Sequence, residues 1–371
     1  MAGSIFGTIF RVSTWGESHG AGLGVVIDGC PAGLPLSQED IQSWLDRRKP
    51  GQSKFTTSRQ EGDEVEILSG VFEGKTTGTP IALEVRNKDQ RSKDYSAIMN
   101  LYRPGHADYT FDQKYGFRDY RGGGRSSGRE TVGRVAAGAV AAKILKELGV
   151  EVRAFTRSIG PVEISPENFD WDERGNNKLY MPDAQAAKEA QAYLEKLMGE
   201  CDSAGGVIEC RIEGLPAGVG EPVFDKLDAN LAKAVLSIGA VKGFEIGEGF
   251  KAPLLTGSTD NDEFASETDE SGARKIYKKT NHAGGVLGGI SDGSPVVFRA
   301  AFKPTASIAR EQHTVTREGE ETPIVIKGRH DPVIVPRAVV VVEAMAALTV
   351  CDLLLGSMTS RMDRIREFFR R

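Results

Sequence analysis

Four cysteines in 371 residues (Cys30, Cys201, Cys210 and Cys351), with no CxxC pair among them, exclude a disulfide-dense scaffold and a thiolate metal cluster. Only five histidines occur, and none has HxxxH or HExxH spacing, so no protein-bound metal is expected. Walker A and GxSxG sequences are absent, and Gly7 with Gly22 and Gly24 makes no dinucleotide fingerprint. No apolar run approaches the ~20 residues of a membrane span. The longest candidate, 339–355, is interrupted by Glu343 and Asp352. The first twenty residues lack a basic region followed by an apolar one, so no secretory signal is read. A cytoplasmic protein with reduced thiols is the expectation, with no membrane partner. A net charge of −5 and a pI of about 5.7 argue against a nucleic-acid partner.

What is present is a soluble composition: 39% hydrophobic, 27% charged, mean hydropathy −0.30. The 44 glycines mark tight turns and close backbone approaches. Residues 22–28 (GLGVVID) read as a buried strand, followed by the turn CPAG. Ser37 is placed to cap a helix with Ile41, Trp44 and Leu45 on one face and Arg47, Arg48 and Lys49 at its end. Ser127 and Glu130 read as a capping box opening an alanine-rich helix that Gly149 ends.

The pattern then recurs. IDGCPAG at 27–33 is echoed by IEGLPAG at 212–218, an offset of 185, and Arg134 before an apolar helix is echoed by Arg337, an offset of 203. Two similar halves of one large α/β domain are expected, about 1–150 and 200–371, with 151–199 as linker and a polar insertion at 257–279.

Chemistry concentrates in 103–134, where seven Lys/Arg face four acids, a net +3 inside an acidic chain. Three consecutive glycines (Gly122, Gly123, Gly124) run into a helix start, as at an anion site built from backbone N–H groups and guanidinium forks. The histidines at 19, 106, 282 and 330 sit among glycine, proline and aspartate, which predicts loops and leaves acid–base work open. A second glycine-rich stretch covers 281–290. Lys303 follows with two hydroxyls around a proline turn, and then RHDP at 329–332.

Together GESHG, RPGHADYTFDQKYGFRDYRGGGRSSGRE, NHAGGVLGGIS, FKPTASI and RHDP resemble the motifs of the chorismate synthase family, in that family's order, from residue 16 to about 337. The resemblance implies a β-α-β sandwich with internal pseudo-twofold symmetry, assembled as a homotetramer. It implies 1,4-anti elimination of phosphate from 5-enolpyruvylshikimate 3-phosphate, dependent on reduced FMN without net redox change. It assigns catalysis to His19, His106 and Asp331. FMN falls to Arg125, Ser126, Ser127, Gly239, Ala240, Gly288, Lys303, Pro304, Thr305, Ala306, Ser307 and Arg329. Arg48, Arg103 and Arg129 are set against the substrate's anionic groups, and Arg48 with Lys54 against NADPH as a reductant. Lys54 offers a point charge where relatives often have arginine's fork. Another reading of the same motifs is a flavin- or anion-binding protein that kept the fold without the lyase activity.

Overall fold

The structure is a computed structural model that describes residues 3–57, 61–88, 99–268, 272–326, 328 and 330–370. Two five-stranded antiparallel sheets enclose a layer of helices. In the first, the spatial order is Ile5–Phe6, Arg11–Gly16, Gly22–Asp28, Ile81–Arg86, Val65–Ile67. In the second it is Val162–Glu163, Glu151–Ile159, Gly206–Glu213, Val296–Phe302, Val241–Ile246. Apart from the two-residue edge strands, the four remaining strands of each sheet follow the same order, whereas the edge strand precedes its neighbour along the chain in the first half and follows it in the second.

Each half also runs through the same elements along the chain. Two strands lead into the CPAG or LPAG turn, then a helix (Gln38–Arg48 or Leu227–Leu236), two more strands, and an inner helix (Thr131–Glu147 or Val335–Gly356). Sequence reading placed the connecting segment at 151–199. The strand Glu151–Ile159 lies there instead, paired along its length with Gly206–Glu213, so the second sheet begins at 151. Its arginines had hidden it, because Arg153 and Arg157 break the apolar alternation and are drawn to Glu213 and Glu209. The insertion at 257–279 falls between Val241–Ile246 and Val296–Phe302, the last two strands of the second sheet along the chain, and its described part includes a hairpin, Phe264–Thr268 with Arg274–Lys278.

The two inner helices pack directly on one another. Gly138 permits this, since a Cβ there would lie 2.4 Å from the Ala344 Cβ. Gly133 does the same against the first sheet, where a Cβ would stand 3.0 Å from the Gly24 carbonyl oxygen. The small residues of the alanine-rich helix thus set the spacing of the layers.

Val335–Gly356 is long and apolar enough to cross a membrane by composition alone, but 78% of its apolar window is buried inside the protein. Its two acids explain its place. Glu343 is buried and accepts from the Ala154 N–H at 2.8 Å and from Arg47 and Arg174. Asp352 accepts the backbone N–H groups of Thr8, Ile9 and Phe10 at 2.6–3.0 Å, tying down the N-terminal loop.

Ser37 forms the expected capping box with Asp40. The box at Ser127 does not form. Ser127 caps a short turn by accepting from the Arg129 N–H, and Glu130 instead pairs with Arg134 at 2.7 Å. The α-helix starts at Thr131, because Glu130 has a better partner one turn along.

Candidate active site

A cavity of about 500 Å³ opens where loops of both halves meet the start of the Val335–Gly356 helix. Its cations include Arg48, Arg103, Arg129, Lys303 and Arg337, and its walls also carry His106, Asp331, Ser126, Ser127 and the turn 303–307. That volume is in the range of small-molecule and cofactor sites.

The arginines are held by carboxylates behind them. Arg48, at the end of its helix, is buried and donates to Asp63 from Nη2 at 2.6 Å and from Nε at 3.1 Å. Arg129 donates to the other oxygen of Asp63 at 2.6 Å and to Asn87 Oδ1 at 2.6 Å. Burial pushes the Arg48 guanidinium down to about 10, with Arg337 and Arg129 adding repulsion. For Asp63, burial pushes the carboxyl up, but Arg48 and Arg129 outweigh it and hold the group below its ordinary range. Arg103 makes a two-pronged pair with Asp108 at 2.8 and 2.7 Å, and its own N–H donates to the same carboxylate. Such pre-paired guanidiniums keep fixed forks for an incoming anion.

His106 is fixed through both ring nitrogens. Nδ1 lies 2.9 Å from the Pro104 carbonyl oxygen and Nε2 lies 2.8 Å from Ser307 Oγ. A carbonyl only accepts, so Nδ1 carries hydrogen and Nε2 presents its lone pair to the serine. Burial is the main cause of a ring pKa below the ordinary value, and Arg103 adds to it. Asp331 accepts from the Thr57 N–H at 2.8 Å and from Arg337 Nη1 at 2.7 Å.

Two buried polar atoms on the lining have no hydrogen-bond partner among the described residues: Arg129 Nη2, which stands 3.7 Å from Glu61, and Thr305 Oγ1. Buried donors left without acceptors are costly, so their presence on a cavity wall fits a ligand rich in acceptor oxygens. Gly239 leaves open space on the same wall, and the Ala240 carbonyl accepts the Lys303 N–H at 2.9 Å.

Thus His106, Asp331, Arg48, Arg103, Arg129, Ser126, Ser127, Gly239, Ala240 and residues 303–307 come together. Others expected at the site are not among the described residues of the lining. Arg125 turns its guanidinium to Thr14 Oγ1 at 2.6 Å and to the Gly16 carbonyl at 3.0 Å, away from the lining. His19 packs on Gly122, whose Cβ would stand 2.6 Å from the ring, one residue from the lining Gly123. Gly288 sits in the tight hairpin Val286–Leu287 with Ile290–Ser291, and Lys54 pairs with Glu195; neither lines the cavity. Arg329 lies outside the described residues.

Much of the positive excess of 103–134 is used up within the fold. Arg118 pairs with Asp112, Arg121 with Asp119 and Arg134 with Glu130. Only Arg103 and Arg129 of that run bring their charge to the cavity. Sequence reading missed Asp63, Thr57 and Glu61 altogether. It noted Arg337 only as a repeat echo.

The sequence model of the chorismate synthase family matches residues 10–355. The chain belongs to the chorismate synthase family. It is 66% identical over 371 residues to chorismate synthase of Lachnospira eligens, with both chains covered in full. It is 55% identical over 356 residues to that of Synechocystis sp., covering 95% of this chain and 97% of the relative. A crystal structure of chorismate synthase, 33% identical, superposes with a TM-score of 0.76 over 98% of this chain and 97% of the other. Members of this family are carbon–oxygen lyases.

Proposed function

We propose that this cavity eliminates phosphate from 5-enolpyruvylshikimate 3-phosphate to give chorismate, with reduced FMN bound beside the substrate. The observation that carries the reading is the convergence of carboxylate-backed arginines with an imidazole held at both ring nitrogens and a doubly hydrogen-bonded carboxylate. A substrate with two carboxylates and one phosphate needs several fixed cations, and Arg48, Arg103 and Arg129 supply them.

The flavin's acceptor oxygens fit the unpartnered Thr305 Oγ1, with Ser126, Ser127, Gly239, Ala240 and the turn 303–307 as the remaining cradle, and the unpartnered Arg129 Nη2 is left to the substrate's anionic groups. When bound, reduced flavin would supply electron density for departure of an allylic phosphate, with no net redox change. The chain's own residues orient the anions and move protons. His19, beside Gly122, is assigned proton donation to the departing phosphate. Asp331, held by Thr57 and Arg337, assists loss of the ring hydrogen at the far end of the 1,4 elimination. NADPH as a reductant rests on Arg48 and Lys54.

The same reading takes the protein to be a cytoplasmic homotetramer. Its four free thiols suit a reducing compartment, and the exposed Phe224, Phe250 and Leu254 offer apolar surface to other copies.

Anaerobic incubation with reduced FMN and 5-enolpyruvylshikimate 3-phosphate, followed by chorismate absorbance, tests the assignment. Absence of chorismate overturns it. Flavin binding without product would leave a binding protein of this fold.

A further inference from the structure

The loops 103–107 and 303–307 come from opposite halves of the chain, yet they are locked together. Gly105 is left-handed (φ +70), and a Cβ there would lie 2.8 Å from the Ala306 Cβ. Lys303 Nζ donates to the Gly105 carbonyl at 2.7 Å. This clamp sets His106 Nε2 against Ser307 Oγ at 2.8 Å, with both residues on the cavity lining.

The hydrogen positions follow from chemistry. Nδ1 must carry hydrogen to meet the Pro104 carbonyl, so in the neutral ring Nε2 can only accept. Ser307 therefore donates its single hydroxyl hydrogen to Nε2, leaving only oxygen lone pairs to face a ligand. Nε2, the one ring atom able to gain a proton, is screened by that hydroxyl.

We infer that Ser307 is the proton relay between His106 and the molecule bound in the cavity, an assignment that rests on the lyase reading above. In the relay a ligand X–H bond breaks and an O–H bond forms on Ser307. The hydroxyl's original O–H bond breaks as Nε2–H forms. The ligand loses one proton, the imidazole becomes imidazolium, and the serine is unchanged. The reverse sequence returns the proton. The charges facing the ring are Arg103 and Lys303, which with burial favour the neutral form, and Asp108, which with the Pro104 carbonyl favours the charged one. The ring therefore rests neutral and ready to accept, and Asp108 supports the brief imidazolium.

Two measurements on the full chain test this. With ¹⁵N-labelled histidine only five side chains contribute, and His106→Asn identifies its signals by loss. Without ligand, Ser307→Ala is expected to move the His106 Nε2 resonance and leave Nδ1 in place. An unmoved Nε2 overturns the inference. In the anaerobic assay, Ser307→Ala is expected to lower turnover about tenfold or more, and Ser307→Thr to restore most of it. In a His106→Ala background the same change is expected to cost less than about twofold, because the two act in series. Equal losses in both backgrounds make Ser307 an independent contact and sink the relay alone. A wild-type chain that makes no chorismate overturns the functional reading and the relay with it.

Discussion

Asp63 is the residue on which the cationic wall depends, and no pattern in the sequence singles it out. Its backbone is left-handed (φ +47), an unfavourable conformation for a side-chain-bearing residue, and its buried carboxylate joins Arg48 to Arg129. Removing one partner from a buried ion cluster leaves the others uncompensated and free to turn. Asp63→Asn is expected to raise the substrate KM about tenfold or more with a smaller change in kcat, measured by steady-state kinetics with reduced FMN in excess. An unchanged KM would show that the forks hold without their counter-ion. His106, Asp331, Arg103, Arg129 and the turn 303–307 were legible because they sit in the short motifs that carry the family resemblance. Arg125 was legible as a charge but not in its direction, since Thr14 and Gly16 approach it only in the fold.

His106 also gives the fold a pH signature. Burial holds its folded pKa below the ordinary value of about 6.5, so the unfolded chain takes up the proton first. Its contribution to stability is therefore present above about pH 6.5 and is lost as pH falls from there through the folded value. The slope is at most about 1.4 kcal/mol per pH unit. Urea unfolding between pH 7.5 and 5 is expected to show that decline in the wild type and a shallower one in His106→Gln. Equal slopes would mean that the ring titrates alike folded and unfolded.

At the scale of elements, the inner helix pair carries the architecture. The small side chains of the alanine-rich helix allow close packing, and the Gly138–Ala344 approach realises it. Gly138→Val puts new methyl groups against the facing backbone and is expected to destabilise by about 1–3 kcal/mol. Glu343→Ala strands Arg47 and Arg174 and the Ala154 N–H, and is expected to cost about 3 kcal/mol or more. Chemical denaturation measures both, and a cost for Glu343→Ala no larger than that for an exposed glutamate would refute the keystone role. The acid in mid-helix was visible from the sequence, but its partners lie 169, 189 and 296 residues before it. The strand Glu151–Ile159 was lost for a related reason: Arg153 and Arg157 on it pair with Glu213 and Glu209 of a strand 60 and 52 residues further on.

At the scale of the whole molecule, the turn echo CPAG and LPAG revealed two halves, while the order shared by four strands of each became visible only in the sheets. What the repeat produces is a cavity that neither half owns. Arg48, Arg103 and Arg129 precede residue 151, whereas Lys303, Ser307, Asp331 and Arg337 follow it. A ligand held across that seam binds only when both halves are folded and docked. Its binding energy then adds to global stability and not to one half. At a free concentration of 100 times Kd the expected gain is about 2.7 kcal/mol. Calorimetry with 5-enolpyruvylshikimate 3-phosphate under air, where reduced flavin is absent and turnover is blocked, should show one transition moving upward as the ligand is raised. Raising the salt should shrink the shift, because the contacts are ionic at a site open to solvent. A split trace, with one transition moving and another fixed, would assign the binding site to a single half and contradict the shared cavity.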